Sequence, residues 1–148
     1  MPPVLAAILA AAAGACIALQ ASANGKFREN LQSPAWAAYF SICGTILTAS
    51  LAMLILRPPL PSRDALGGTQ WWNWIGGPLG TLIVLAGATL ARDLGAAAFI
   101  ALVVGGQLLC SLILDHYGLM GLIQKEVTLG RVIGAVLVVA GVVCIKWG

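Results

Sequence analysis

The sequence predicts an all-α integral membrane protein of five transmembrane helices, and three observations carry that prediction. The first is composition. Of 148 residues, 60% are hydrophobic and only 9% charged, and mean hydropathy is +0.97, whereas soluble domains carry about a quarter charged residues. The second is spacing. Apolar runs lie at about 3–23, 35–56, 72–91, 96–114 and 128–146, each long enough, at about 1.5 Å per helical residue, to cross a hydrocarbon core of about 30 Å. The third is punctuation, because charged residues gather between the runs. Residues 1–148 therefore read as a single five-helix transmembrane domain, and function must sit among the helices.

The first run opens on Met-Pro-Pro-Val and is almost wholly alanine, leucine and isoleucine. Ala21, Ser22 and Ala23 resemble a signal-peptide cleavage site, but no cations precede the run and the run is long, so a retained span is expected. Gly14, Ala18, Ala21 and Gly25 form a face of small residues that admits a neighbouring helix closely. Gln20 and Asn24 lie four apart on an adjacent stripe. The polar stretch GKFRENLQ reads as a connector, after which Ser33 as cap and Pro34 at the first helical position start the second span. Ser41, Thr45 and Thr48 share one of its faces, beside Gly44. Their hydroxyls either bond the carbonyl a turn earlier or line a cavity.

Three prolines and two glycines make Arg57–Gln70 the longest loop. Trp71, Trp72 and Trp74 follow at the mouth of the third span, where indole rings favour the headgroup level; stacking on a solute is the alternative. Gly76, Gly80 and Gly87 line one face of this span, and Gly130, Gly134 and Gly141 repeat the offsets in the fifth. Both sets read as helix-packing faces. The short turn Arg92–Gly95 makes spans three and four antiparallel neighbours. Thr128 caps the fifth span after a partly interfacial stretch.

Span four carries the chemistry. From Ala96 to Leu114 it has no charge, yet Gln107, Ser111 and Asp115 fall on one helical stripe with His116 beside them. An unpaired amide in hydrocarbon costs several kcal/mol, so this stripe is expected to turn toward protein or a water-filled cavity. Asp115 and His116 are also the only candidates for a titrating pair.

Several function classes are excluded. The cations are scattered singly or in pairs, which argues against nucleic acid. Cys16, Cys43, Cys110 and Cys144 fall in four different runs and read as small buried side chains, with no disulfide framework and no metal site. No hydrolase, metalloprotease or cofactor motif occurs, so neither an enzyme nor a bound cofactor is expected. Orientation does not resolve from charge. Lys26, Arg28, Arg92 and Lys146 flank one side of a five-span topology, and Arg57, Arg63, Lys125 and Arg131 flank the other. A bias of Lys and Arg sets orientation. This even split points to dual topology, two copies inserted oppositely into an antiparallel dimer with the lipid bilayer around them; the alternative is a single orientation set by one dominant loop.

The segments ALQASANG, QWWNWIGGPLG, FIALVVGGQLLCSLILDHYGLMG and GRVIGAVLVVAGVVCI resemble the YdcZ-type five-span family of the drug/metabolite transporter superfamily. That resemblance implies a bundle in the bacterial inner membrane, paired as an inverted homodimer or with a sister protein, and moving a small-molecule solute. The polar positions it implies are Gln20, Asn24, Gln107, Asp115 and His116. The small multidrug-resistance branch of that superfamily uses a first-span glutamate for proton exchange, and the first apolar run here has no acid, so proton-drug antiport is not expected. In an inverted dimer, Gln20 and Asn24 of one copy would reach the depth of Asp115 and His116 of the other, with Gln107 near the midplane. The alternative is a membrane subunit whose polar stripes only hold helices together.

Overall fold

A computed structural model describes all 148 residues, and five of its helices are long and apolar enough to cross a membrane. In chain order the helices are α1 (Pro3–Leu31), α2 (Pro34–Leu56), the one-turn α3 (Arg63–Gly67), α4 (Gly76–Leu94), α5 (Ala96–Tyr117) and α6 (Leu129–Trp147). The chain divides into two compact units, Met1–Arg92 and Asp93–Gly148.

The helix starts follow their caps. Ser33 Oγ accepts the Trp36 N–H with Pro34 at the first position, and Thr128 Oγ1 accepts the Arg131 N–H. Each cap satisfies one of the orphan donors that every helix start leaves. Ser62 does the same for α3 inside the long loop, and Trp71–Trp74 form a 3-10 turn leading into α4.

The first connector is where structure and expectation part. GKFRENL is helical, so α1 runs 29 residues, about 43 Å, and only Gln32 and Ser33 separate it from α2. Lys, Arg and Glu are good helix formers, and Lys26 and Glu29 form an i,i+3 ion pair at 2.8 Å. Hydropathy ends the span near Ala23, while helix propensity carries the helix to Leu31. The left-handed Gln32 then stops it.

In the first unit, burial is confined to one end. Ala21, Asn24 and Gly25 of α1, Ala37 and Ala38 of α2, and Gly87, Ala88 and Ala91 of α4 are buried. Ala37, Ala38 and Ala88 form the core, flanked by Phe27, Leu31, Val84 and Leu85. Small residues let the backbones close up there. Gly25 shows how closely: a Cβ at this position would lie 3.8 Å from that of Arg92. From Cys43 to Gln70 every residue is exposed. The unit is therefore packed where α1 and α4 end and α2 begins, and open where α2 ends.

The second unit is an antiparallel pair. Gly105 of α5 approaches Val142 of α6, and Asp115 reaches Arg131. The intervening connector folds back on α5, the Lys125 N–H donating to the Asp115 carbonyl at 2.8 Å. Gly118 makes that reversal possible. It caps α5 at φ 59°, and a Cβ would sit 3.2 Å from the Leu122 carbonyl oxygen and 3.3 Å from Gln124 Cβ. Gly121, at φ 77°, has open space around it. A left-handed backbone costs a non-glycine residue about 1–2 kcal/mol. Gly118→Ala should therefore lower the thermal stability of the detergent-solubilised protein more than Gly121→Ala does, and should expose Lys125 to trypsin; equal effects would remove Gly118 from the reversal.

Candidate functional site

The site forms where the first unit changes from packed to open. A cavity of about 570 Å³ lies between α1, α2 and α4, lined by Gln20, by Ile42, Thr45 and Ile46, and by Gly76, Gly77, Gly80, Thr81, Ile83 and Val84. Small-molecule sites span about 300–1,000 Å³ and are mostly apolar with a few placed polar groups. One turn further along, each helix is buried, at Asn24 below Gln20, Ala38 below Ile42 and Ala88 below Val84. None of the three lines the cavity; they form a buried layer one turn beyond it, its floor, and the cavity's far side leads toward the exposed end of α2.

Beyond the floor lies a polar latch. Arg28 Nη1 donates to the Thr89 carbonyl, and Arg92 Nη1 meets Glu29 Oε2 at 3.2 Å, with Lys26 on the same oxygen. Glu29 belongs to α1, but it sits on the polar extension, paired with cations, and leaves the first apolar run without an acid. Around the same end, Trp36 stacks on Phe40 at 5.9 Å, with Tyr39 and Phe27 against Phe40. Trp71 and Trp74 are exposed beyond the other end of α2, Trp74 donating its indole N–H to Thr69 Oγ1.

The expected polar residues are distributed as follows. Gln20 faces the cavity. Asn24 is 5% exposed, and its Nδ2 has no hydrogen-bond partner. Thr45 and Thr48 donate to the Ser41 and Gly44 carbonyls, and Thr45 also lines the cavity, so both readings of that face hold at Thr45. Gly76 and Gly80 line the cavity as well. A Cβ at either would meet nothing within 4 Å, and the same is true of Gly130, Gly134 and Gly141, so none of these makes a close contact within one chain; Gly87 is buried.

In the second unit, Gln107 and Ser111 are exposed rather than turned into the protein, and Ser111 donates to the Leu108 carbonyl. The side of α5 that meets α6 carries Gly105 instead, and a two-helix unit has nothing to cover the opposite side. Asp115 does not pair with His116. Its carboxylate binds Arg131 at 3.1 Å, with both side chains about a third exposed, while His116 sits edge-on to Tyr117 and its Nδ1 lacks a partner. The four cysteines are free and exposed, not buried. An apolar run says that a cysteine lies in the membrane, not which way it faces.

Sequence reasoning missed Thr81, Glu29, Arg92 and Arg131. Arg131 had a signal, since it stands three residues after a capping threonine, where a side chain can reach the end of the preceding helix. Arg131 Nη1 has no partner of its own, so Asp115→Ala would leave a partly buried guanidinium uncompensated. That variant should cost about 1–3 kcal/mol. Asp115→Leu combined with Arg131→Leu should recover most of the loss in a double-mutant cycle followed by thermal unfolding; strictly additive losses would show that the pair contributes nothing.

Comparison with known proteins adds a family. Residues 5–144 match the family model described as "Putative inner membrane exporter, YdcZ". The chain is 33% identical over 78 residues to Inner membrane protein YdcZ of Escherichia coli (strain K12), covering 53% of this chain and 52% of that one. The chain thus spans about half the length of this relative. No solved structure matches.

Proposed function

The chain belongs to the YdcZ family and is a multi-pass inner-membrane protein, and on that premise we propose that it transports a small solute by alternating access at the cavity of the first unit. One observation carries the reading. One turn beyond the cavity on one side the helices are buried at Asn24, Ala38 and Ala88, while on the other side α2 is exposed. That is the form a transporter takes when its site faces one side of the membrane.

Opening the floor requires separating α1 from α4. The ties there are weak enough to break and re-form. Arg92 and Lys26 are 54% and 69% exposed, so water competes with both for Glu29 and screens the two pairs. Alanine contacts add little buried area. A latch of this kind holds a closed end without committing the protein to it.

The second part of the proposal is assembly. Gln107 lies exposed in the middle of a membrane-crossing helix, where lipid offers no hydrogen bond. A second copy covering α5 would satisfy it. The even split of Lys and Arg favours that copy being inverted, which supplies the two related halves that alternating access uses. In that dimer the Gln107 side chains would meet near the midplane, and Asp115 and His116 of one copy would share a depth with Gln20 and Asn24 of the other.

Two measurements test these parts separately. With protein in liposomes and a solute that it moves, Gly80→Leu should reduce flux at least about tenfold by filling the cavity, because the glycine faces open space; undiminished flux would place transport elsewhere. Reporter fusions at Gly148 should be active on both sides of the membrane, with two lysines added beside Lys26 biasing them to one. A wild-type protein found in one orientation would overturn the inverted dimer.

A further inference from the structure

We infer that the cavity between α1, α2 and α4 selects an uncharged amphipathic solute, an apolar body carrying one amide, urea or alcohol group. The inference rests on the transport reading for its biological meaning, but it is a statement about binding and stands or falls on binding alone.

The hydrogen-bond inventory of the lining carries it. Gln20 is the only amide lining the cavity, and its side chain hydrogen-bonds to nothing else in the protein, so it offers both donors and an acceptor. The hydroxyls of Thr45 and Thr81 donate to the Ser41 and Gly77 carbonyls, which leaves their oxygens as acceptors only. The rest of the lining is glycine and aliphatic carbon. One turn below Gln20, on the same side of α1, Asn24 Nδ2 is buried without a partner. Burying a donor unpaired is costly, and few such groups persist in folded proteins. Together these groups complement a ligand group that both donates and accepts, and they provide a single locus for it.

The same inventory excludes charge. No acidic or basic side chain lines the cavity. The nearest acid on α1, Glu29, is nine positions past Gln20, about 13 Å along the helix, and already binds Lys26 and Arg92. A cation or an anion entering here would lose its water and gain no counter-charge. The first turn of α4, at Gly76 and Gly77, presents a weakly positive helix end to the cavity rim, which favours a carbonyl oxygen but does not match the hydration of a carboxylate.

The test is equilibrium binding to the full chain in lipid nanodiscs, with empty nanodiscs subtracted, using four probes that each carry a benzene ring and a propyl chain: N-propylbenzamide, propylbenzene, N-propylbenzylammonium and 4-propylbenzoate. The amide should bind at least about tenfold tighter than either ion and several-fold tighter than propylbenzene. Gln20→Leu should abolish the preference for the amide over propylbenzene. Gln20→Glu should reverse the order of amide and ammonium, a gain of binding that a misfolded variant cannot produce. Ammonium or benzoate binding as tightly as the amide in the unaltered protein, or an amide preference that survives Gln20→Leu, would overturn the assignment. Selective binding without flux in liposomes would retain this inference and remove the transport reading instead.

Discussion

A polar group inside a bilayer has no water to fall back on, and that constraint orders this structure. Hydroxyls of α2 and α4 return to their own helix carbonyls. Asp115 takes Arg131. The charges of the α1 extension find each other at the helix end. Among the polar residues of the apolar runs, Gln20, Asn24, Ser41 and Gln107 keep unpaired side-chain groups, and one nitrogen each of His116 and Arg131 is unpaired as well. Gln20 lines the cavity and Gln107 lies on the exposed side of α5, the two positions on which the proposed transport and assembly rest.

The energetic character of the first unit follows from the same economy. Between apolar helices in lipid there is no hydrophobic drive to associate, so contact depends on close approach of small residues and on a few polar ties. Alanine and glycine meet at one end, over Ala37, Ala38 and Ala88, while the leucines and isoleucines of the other end face outward. On the proposed transport reading, a bundle held at one end by thin contacts and solvent-exposed ion pairs would have no large core to rebuild when it changes which end is held.

Much of this was legible in the sequence, and the rest was illegible for definite reasons. The apolar runs and the caps at Ser33 and Thr128 could be read because helix starts and membrane thickness are local rules. The continuation of α1 to Leu31 could not be read from hydropathy, since lysine, arginine and glutamate end an apolar run without ending a helix. Gln20 and Asn24 were identifiable as out of place, but their division into a cavity lining and a floor depends on where α2 and α4 pack. Gly76 and Gly80 show the limit most clearly. A glycine face admits a neighbour or leaves a hollow, and only the position of the neighbour distinguishes the two. Gln107 is the converse case, a polar residue expected to turn into the protein that is exposed on α5, because the α5–α6 pair has no third helix to cover that side.

Alternating access at this cavity makes one demand that can be measured directly, namely that α1 and α4 separate at the floor in every cycle. A Cβ at Gly25 would stand 3.8 Å from Arg92 Cβ, within the spacing of about 3.5–4.5 Å that a disulfide requires. Gly25→Cys with Arg92→Cys, in a background lacking Cys16, Cys43, Cys110 and Cys144, should oxidise readily and lock that end shut. Solute flux in liposomes should then stop on oxidation and return on reduction with dithiothreitol, whereas flux that continues at the reduced rate through fully crosslinked protein would contradict a cavity that opens by parting these two helices.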